Sequence, residues 1–189
     1  DWSDVSVLRG IGGSEEAVIY LSRELVKMGY EVTVFNQCGE LAGKYNGVEY
    51  KNFFEFNPND EFNYLVSWRN NIFKTQNIKA KVKSIWLHDV PSEDTFPSNR
   101  IDNFDRIIVL SEYHKSLLPK YISESKIFVS SNGINLKDFK DSNIPRNTKR
   151  MIYTSSYDRG IQHLLQMWGD IKKEVPEAEL HLFYGWNTY

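Results

Sequence analysis

The stretch Gly10-Ile11-Gly12-Gly13-Ser14-Glu15-Glu16-Ala17 opens the segment whose pattern decides the fold. Apolar residues then recur at helical spacing, at Val18, Leu21, Leu25 and Met28, with Ile19 and Val26 widening the stripe. The pattern predicts a helix that Ser14 caps and Gly29 ends, followed by a buried strand over residues 31–36. A glycine turn, helix and strand in this order are typical of a nucleotide-binding α/β unit, in which paired glycines let backbone N–H groups approach a phosphate.

The glycines alone leave two interpretations open, a phosphate-binding turn and a loop-to-helix junction that needs glycine for steric reasons. A dinucleotide fingerprint requires G-x-G-x-x-G, and Glu15 stands where the third glycine belongs. The Walker pattern also fails, because no Lys-Ser/Thr pair follows. Since Glu15 and Glu16 would repel a deeply seated phosphate, we expect any phosphate contact to come from Gly12 and Gly13.

The composition excludes several classes of protein. The chain is 41% hydrophobic and 25% charged, as expected for a globular protein. Its formal net charge of −2 gives no electrostatic reason to expect a nucleic-acid partner. The single cysteine, Cys38, excludes an intrachain disulfide and fits a reducing compartment. No apolar run reaches the roughly 18 residues of a transmembrane segment and no signal peptide opens the chain, so we expect a soluble cytoplasmic protein.

Strand signals recur along the first 140 residues, at residues 48–53, 64–68, 84–88, 106–110 and 126–130. Several are continuous apolar runs, as expected for parallel strands that are buried on both faces. The pattern predicts an α/β fold, with a Rossmann-like parallel-sheet domain over residues 1–140. Only Val5–Leu8 offers a strand ahead of the glycine turn, and it does so poorly, so the first strand is expected to be clipped or lost.

A polar segment without hydrophobic period, residues 141–149, is the predicted linker to a second unit. Residues 150–189 predict a strand over 150–154, a helix with apolar positions from Ile161 to Trp168, a strand over 179–184 and a glycine turn at Gly185. A single β-α-β unit cannot bury both faces of its strands. The second domain, Rossmann-like in pattern, is therefore expected to be incomplete.

Parallel sheets bind ligands at the carboxyl ends of their strands, and three predicted strands end in polar residues. Arg69 follows the first strand and suits a negative group, although it can equally pair with a nearby carboxylate. His88 and Asp89 follow the second, where His88 suits a sugar hydroxyl or developing charge but can also be a packing residue. Ser111 follows the third and is placed to cap a short helix. No second cluster of ligands accompanies His88 and Asp89, so no metal is expected.

A succession of motifs carries a family resemblance. The motifs are Gly12-Gly13-Ser14-Glu15, the strand Ile85-Trp86-Leu87 running into His88-Asp89, then Val109-Leu110-Ser111-Glu112, Ser131-Asn132-Gly133-Ile134, and Tyr153 to Gly160. This succession resembles glycosyltransferase family 4. Those enzymes have the two-Rossmann-domain architecture called GT-B, with the active site in the cleft between the domains. The resemblance covers almost the whole chain in the right order.

The resemblance implies a role for each motif. Gly12 and Gly13 are similar to the loop that faces the donor diphosphate and sugar, and His88 to the active-site histidine over the donor sugar. Asn132-Gly133 resembles the turn that closes the first domain before the hinge. Arg159-Gly160 resembles the pair that begins the first helix of the second domain, where the cation steadies the leaving diphosphate. Arg69, Asp89, Ser111, Asn132 and Gly133 are expected substrate contacts.

Two departures from the family pattern affect the donor site. Ser155-Ser156 stands where the family commonly has a second basic residue, which leaves Arg159 with more of the diphosphate charge. The family's pair of glutamates, which holds the nucleotide sugar, lies beyond the end of this chain. The chain is therefore expected to be inactive alone and to bind nucleoside diphosphates weakly. It is also expected to self-associate, because its second unit leaves apolar faces uncovered.

The resemblance as a whole implies a retaining glycosyltransferase that uses a nucleotide-sugar donor without a cofactor or metal. The acceptor, whether a carbohydrate, a lipid or a small molecule, is not identified. Two alternatives stay open. One is a non-catalytic module derived from such an enzyme that binds a sugar or a protein. The other is an NAD(P)-binding Rossmann protein, against which the missing third glycine speaks.

Overall fold

The computed structural model describes residues 1–136 and 145–183 of the chain. The chain divides into two compact units, Asp1–Ile134 and Asn135–Tyr189. Residues 141–144 of the predicted linker, which spans 141–149, fall outside the described residues, and so does the predicted turn at Gly185.

The first sheet of the first unit has three strands. They are β1 (Thr33–Asn36), β2 (Gly43–Tyr45) and β3 (Val48–Asn52). The order across the sheet is β1-β3-β2, with β1 parallel and β2 antiparallel to β3. The sequence predicted β1 and β3 but not β2, because Gly-Lys-Tyr carries no apolar run.

The second sheet of this unit has four strands, all parallel and arranged in chain order. They are β4 (Glu61–Trp68), β5 (Lys79–Trp86), β6 (Arg106–Val109) and β7 (Ile127–Val129). Both β4 and β5 begin earlier than their apolar runs predicted, because Glu61 pairs in register with Lys79 ahead of the hydrophobic core. This mixed α/β architecture with a parallel sheet is compatible with a Rossmann-like fold.

Helix α1 (Gly13–Lys27) follows the glycine turn, as predicted, but Ser14 does not cap it. The N-cap residue is Gly12, whose carbonyl accepts from Glu16 N–H at 3.0 Å. Ser14 lies inside the first turn, where its hydroxyl donates to the carboxylate of Glu15 at 2.8 Å. The predicted end is confirmed, because Gly29 takes the left-handed conformation, with φ of 92°, just beyond the helix.

Val5–Leu8, which the sequence offered only as a poor strand candidate, is not a strand, since Asp4–Arg9 forms a 3₁₀ helix. Asp4 holds this segment in place. Its carboxylate is buried and accepts from Arg23 Nε and NH2 of α1, both at 2.7 Å, and from Asn46 at 2.8 Å. These three hydrogen bonds hold the segment against α1.

Each sheet has its own core. The core under α1 consists of Ile19, Cys38, Val48 and Tyr50, with Trp2 and Val34 among the partly buried residues around it. The core of the four-stranded sheet consists of Phe73, Ile78, Ile85, Leu87, Phe96, Phe104, Ile107, Val109, Leu118 and Ile122. Helix α2 (Glu112–Ser116) follows β6 and begins after Ser111, as predicted.

The second unit contains β8 (Arg150–Tyr153), α3 (Ile161–Glu174) and β9 (Glu179–Leu182) in its described part. Strands β8 and β9 are parallel neighbours, so the predicted strand, helix and strand are confirmed. Ile152, Leu165 and Leu182 are exposed in this unit. Across residues 1–136 and 145–183, no helix is both long and apolar enough to cross a bilayer.

The ion pair between Asp4 and Arg23 gives a prediction about stability. The variant Arg23→Gln leaves the carboxylate of Asp4, which is 4% exposed, without its cationic partner. We expect the free energy of unfolding to fall by about 2 kcal/mol, measured by urea denaturation. The matched control is Lys27→Gln, which removes an exposed pair with Glu24 on the same helix and should change the stability little. Equal losses in the two variants would contradict this role for Asp4.

Candidate functional site

Three of the predicted site residues follow the carboxyl ends of neighbouring strands. Arg69 follows β4, His88 follows β5 and Ser111 follows β6. Arg69 adds one hydrogen bond to the pairing of β4 with β5, since its N–H donates to the carbonyl of Trp86 at 2.8 Å. Its backbone then takes the left-handed conformation, with φ of 63°, which is uncommon for a residue with a side chain. Such conformations tend to occur at functional sites.

An ion chain connects α1 to the ends of β4 and β5. Arg69 Nε lies 2.5 Å from Asp89 Oδ2, and Arg69 NH1 lies 3.5 Å from Glu15 Oε1. The guanidinium is also placed over the ring of Trp68, 5.4 Å from its centroid. One cation between two carboxylates leaves this cluster with a net negative charge. The sequence thus predicted Arg69 and Asp89 as site residues, and the structure brings them into direct contact.

His88 lies between aromatic rings at the same edge of the sheet. Its ring centroid is 4.6 Å from that of Trp86 and 6.1 Å from that of Trp68. Burial lowers the pKa of His88 below its ordinary value, and Arg69 acts in the same direction, whereas Asp89 opposes the shift. The imidazole is therefore neutral at pH 7. Its Nε2 atom is buried and has no hydrogen-bond partner among the described residues.

His114 fixes the backbone beside His88. Its Nε2 lies 3.0 Å from the carbonyl oxygen of Asp89, and its Nδ1 accepts from Leu110 N–H at 3.5 Å. Since a carbonyl only accepts, Nε2 carries the proton. Ser111 caps α2 as predicted, because its hydroxyl accepts from His114 N–H at 3.0 Å. Ser111 therefore positions His114, which in turn positions Asp89.

The glycine turn meets this cluster through Glu15. A Cβ atom on Gly12 would meet the Glu15 carboxylate, which is the far end of a flexible side chain and can move aside. A Cβ atom on Gly13 would meet nothing within 4 Å, so the space beside this exposed residue is open. Gly13 is thus available to a ligand, whereas the space beside Gly12 is taken by the Glu15 carboxylate.

The remaining predicted residues either follow β7 or belong to the second unit. Asn132 and Gly133 are exposed beyond β7, and no hydrogen bond within the described residues joins them to Arg69 or His88. Arg159 and Gly160 belong to the second unit. Gly160 has φ of 96° and directly precedes the first residue of α3.

The sequence did not predict Glu15, Trp68 and His114 as site residues. The sequence indicated Glu15 as a charge in the first turn of the helix that repels phosphate, and as part of the first family motif, but not as a site residue. Trp68 directly precedes Arg69, and His114 lies three residues after the capping serine. For both residues, the available signal in the sequence was a position close to the end of a predicted strand. Their contacts depend on the packing of distant segments, which the sequence pattern does not give.

A separate groove of about 470 Å³ lies at the opposite, amino-terminal ends of β4 and β5. Residues of an exposed ion pair, Glu61 and Lys79, line it with their neighbours. Because parallel α/β sheets bind ligands at the carboxyl ends of their strands, we favour the carboxyl edge as the functional site. Within the described residues, no group of three or more His, Cys, Asp or Glu side chains is arranged so that it could hold a metal ion.

No protein-family model, curated protein or solved structure matches this chain.

The environment of His88 predicts its titration. We expect the NMR midpoint of the His88 imidazole to lie below 6.5, and to fall further in Asp89→Asn, because that carboxylate favours the protonated form. The exposed Asp60→Asn serves as the control and should leave the midpoint unchanged. An unchanged midpoint in Asp89→Asn would show that the two groups do not interact.

The same shift makes stability depend on pH. Between the lowered midpoint of the folded state and about 6.5, the unfolded chain binds more protons at His88 than the folded chain does. The free energy of unfolding should therefore decrease as pH falls through this window. His88→Gln should flatten that part of the profile in urea denaturation, and a profile with the same slope in both proteins would exclude this contribution.

Proposed function

We propose that the chain belongs to a retaining glycosyltransferase that uses a nucleotide-sugar donor, with His88 beside the transferred sugar. The observation that supports this most is the convergence of the glycine turn, Arg69 and a neutral His88 at one carboxyl edge. The resemblance to glycosyltransferase family 4 assigns Gly13 to the donor and Arg159 to the leaving diphosphate. Gly13 and His88 belong to the first unit and Arg159 belongs to the second.

The charge of the cluster favours a hydroxyl-rich ligand over a free diphosphate. Arg69 is already compensated by Glu15 and Asp89, so a second anion at this edge would meet net negative charge. A neutral imidazole offers one donor and one acceptor, which suits a sugar hydroxyl. A sugar beside His88 therefore agrees with the charges on this edge.

The ion pairs also bear on the route of transfer. A covalent route needs a free carboxylate nucleophile, and Arg69 holds both carboxylates of the cluster. We therefore favour substitution on one face of the sugar. The bond from the anomeric carbon to the diphosphate breaks, the acceptor oxygen bonds to that carbon, and the acceptor proton passes to the departing phosphate oxygen.

A second candidate is a non-catalytic module that binds a sugar. The net negative charge of the cluster favours it, because a sugar meets no repulsion at this edge whereas a donor diphosphate does. The two candidates predict the same ligand and differ in turnover. Transfer of labelled sugar decides between them.

The glycine turn provides the binding test. Gly13→Val adds a branched side chain where there is open space, so the fold should persist while the turn loses its close approach to a ligand. We expect nucleotide sugars to shift the NMR signals of the turn and of His88 in the parent chain and not in this variant. Gly169→Val, at an equally open glycine on α3, is the matched control. If Gly13→Val binds nucleotide sugars as well as the parent chain does, the turn only begins the helix and does not contact the ligand.

His88 provides the catalytic test. We expect His88→Ala to lower turnover by about 10²–10³-fold with little change in nucleotide binding, since a transition-state hydrogen bond is lost. Transfer is measured with labelled nucleotide sugars in a longer product of the same locus that carries the rest of the second domain, because the 189-residue chain is expected to be inactive alone. His163→Ala, on the exposed face of α3, is the control. Near-normal turnover in His88→Ala would show that His88 is a packing residue. Binding of nucleotide sugars without turnover in that longer product would favour the non-catalytic module.

A further inference from the structure

Trp86 and His88 lie on the same face of the parallel sheet, with Trp68 beside them. Trp68 on β4 and Trp86 on β5 are partners in the strand register. The N–H of Leu87 donates to the carbonyl of Ile108 at 2.9 Å, so the pairing of β5 with β6 continues beyond Trp86. Successive side chains of a strand point to opposite faces, so His88 follows Trp86 on one face while Leu87 enters the core on the other. The alternation of the strand therefore brings the imidazole onto two indole rings.

The imidazole of His88 meets these rings edge to face, and one of its nitrogens is enclosed. The ring planes of His88 and Trp86 are inclined by 62°, and those of His88 and Trp68 by 69°. Nε2 of His88 is buried and has no hydrogen-bond partner among the described residues. Nδ1 lies outside this buried set, and the side chain makes no hydrogen bond within residues 1–136 and 145–183, so Nδ1 meets solvent.

The rings around Nε2 decide where the neutral imidazole carries its proton. An aromatic ring carries negative charge on its face and positive charge at its edge. Such a face attracts an N–H group and repels a nitrogen lone pair. Since Trp86 is the nearest ring, at 4.6 Å between centroids, the form with the proton on Nε2 is the more stable one. In a neutral imidazole the other nitrogen is then an acceptor, and here that nitrogen is Nδ1.

Trp68 supports this interpretation, because the position of its own proton is not in question. Its Nε1 is likewise buried without a hydrogen-bond partner among the described residues, and an indole nitrogen only donates. The ring of Trp2 stands edge-on to that of Trp68, at 5.7 Å and 73°. Arg69 places a cation over the Trp68 ring, 5.4 Å from its centroid. Positive charge against a ring face is therefore already a feature of this cluster.

We infer that Trp86 is a positioning residue that holds the Nε2–H of His88 against its ring, so that Nδ1 is the acceptor which His88 offers to a ligand. The imidazole is neutral at pH 7, so the lone pair of Nδ1 is available there. It can pair with a hydroxyl or an amine, which donate, and not with a group that only accepts. The net negative charge of Glu15, Arg69 and Asp89 also favours the positive end of a donor. The role toward a sugar rests on the proposed function, whereas the position of the proton does not.

The imidazole N–H signals of the ligand-free 189-residue chain test the position of the proton. With isotopically labelled histidine at neutral pH, the Nε2–H of His88 should be visible by NMR, because the rings shield it from exchange with water. Ring currents should shift its proton upfield. His114 is the internal control, since its Nε2–H donates to the carbonyl of Asp89 at 3.0 Å and should be visible downfield. The exposed His163 should show no such signal.

Substitutions of Trp86 test its positioning role. Trp86→Phe keeps an aromatic face and should keep the protected, upfield signal of His88. Trp86→Leu removes that face and should let the N–H exchange with water, so that the signal is lost. Phe96→Leu is the matched control, because it truncates a buried ring in the core on the other face and should leave the signal unchanged. If Trp86→Leu fails to fold, a nuclear Overhauser contact between the Nε2–H and the Trp86 ring in the parent chain decides.

Nucleotide sugars with one altered hydroxyl test Nδ1 as the acceptor. The probes are UDP-glucose and GDP-mannose, each compared with analogues in which fluorine replaces one sugar hydroxyl and so removes a donor. Binding is measured by calorimetry in the longer product used for the transfer assay. We expect one analogue of the bound sugar to bind about tenfold more weakly than the parent sugar. In His88→Ala this difference should disappear.

Three results would overturn the inference. A proton on Nδ1 of His88, or an Nε2–H that exchanges with water as freely as that of His163, would exclude donation to the rings. An unchanged His88 signal in folded Trp86→Leu would remove the positioning role of Trp86. Equal binding of every fluorinated analogue would exclude Nδ1 as the acceptor. If neither nucleotide sugar binds, the proposed function fails, and the spectra of the ligand-free chain still decide the position of the proton.

Discussion

Ring contacts, rather than backbone hydrogen bonds, hold the two sheets of the first unit beside each other. Trp2 packs on Trp68, Tyr30 on Tyr64, and Phe56 bridges Phe35 and Phe62. Such pairs contribute about 0.5–1.5 kcal/mol each beyond the area they bury. Because α1 packs on the first sheet, these contacts place its amino end at the carboxyl edge of the second sheet. Only then can Glu15 reach Arg69.

The carboxyl edge combines two opposite features that the proposed sugar site requires. Arg69 and Asp89 are held by ion pairs that are largely solvated, so they position groups more than they stabilise the fold. His88, by contrast, is kept neutral by burial between rings. The edge therefore offers a neutral imidazole against an aromatic surface, beside an ion cluster whose net charge is negative. Sugars present hydroxyls and apolar ring faces together, and both kinds of group have a counterpart here.

The sequence predicted those features that depend on local pattern. Apolar runs located the strands of the parallel sheet, and Gly29 and Ser111 marked the helix termini correctly. Ser14 was mistaken for a cap because the backbone enters the helix at Gly12, whose own conformation decides the start. The 3₁₀ helix at Asp4–Arg9 was not predicted, because the partner of Asp4, Arg23, is distant in sequence. The contact of Glu15 with Arg69 joins residues 54 positions apart, and no local pattern reports such a distance.

The chain order of the second sheet has a consequence for how the protein is made. Strands β4, β5, β6 and β7 lie side by side in the order of their synthesis, so each pairs with the strand that left the ribosome just before it. Paired residues of neighbouring strands lie 18 to 22 positions apart, as Glu61 with Lys79 and Ser84 with Arg106 do, and pairing of parallel strands over such distances is intrinsically slow. The chain order nevertheless means that no strand of this sheet has to insert between two strands that are made before it.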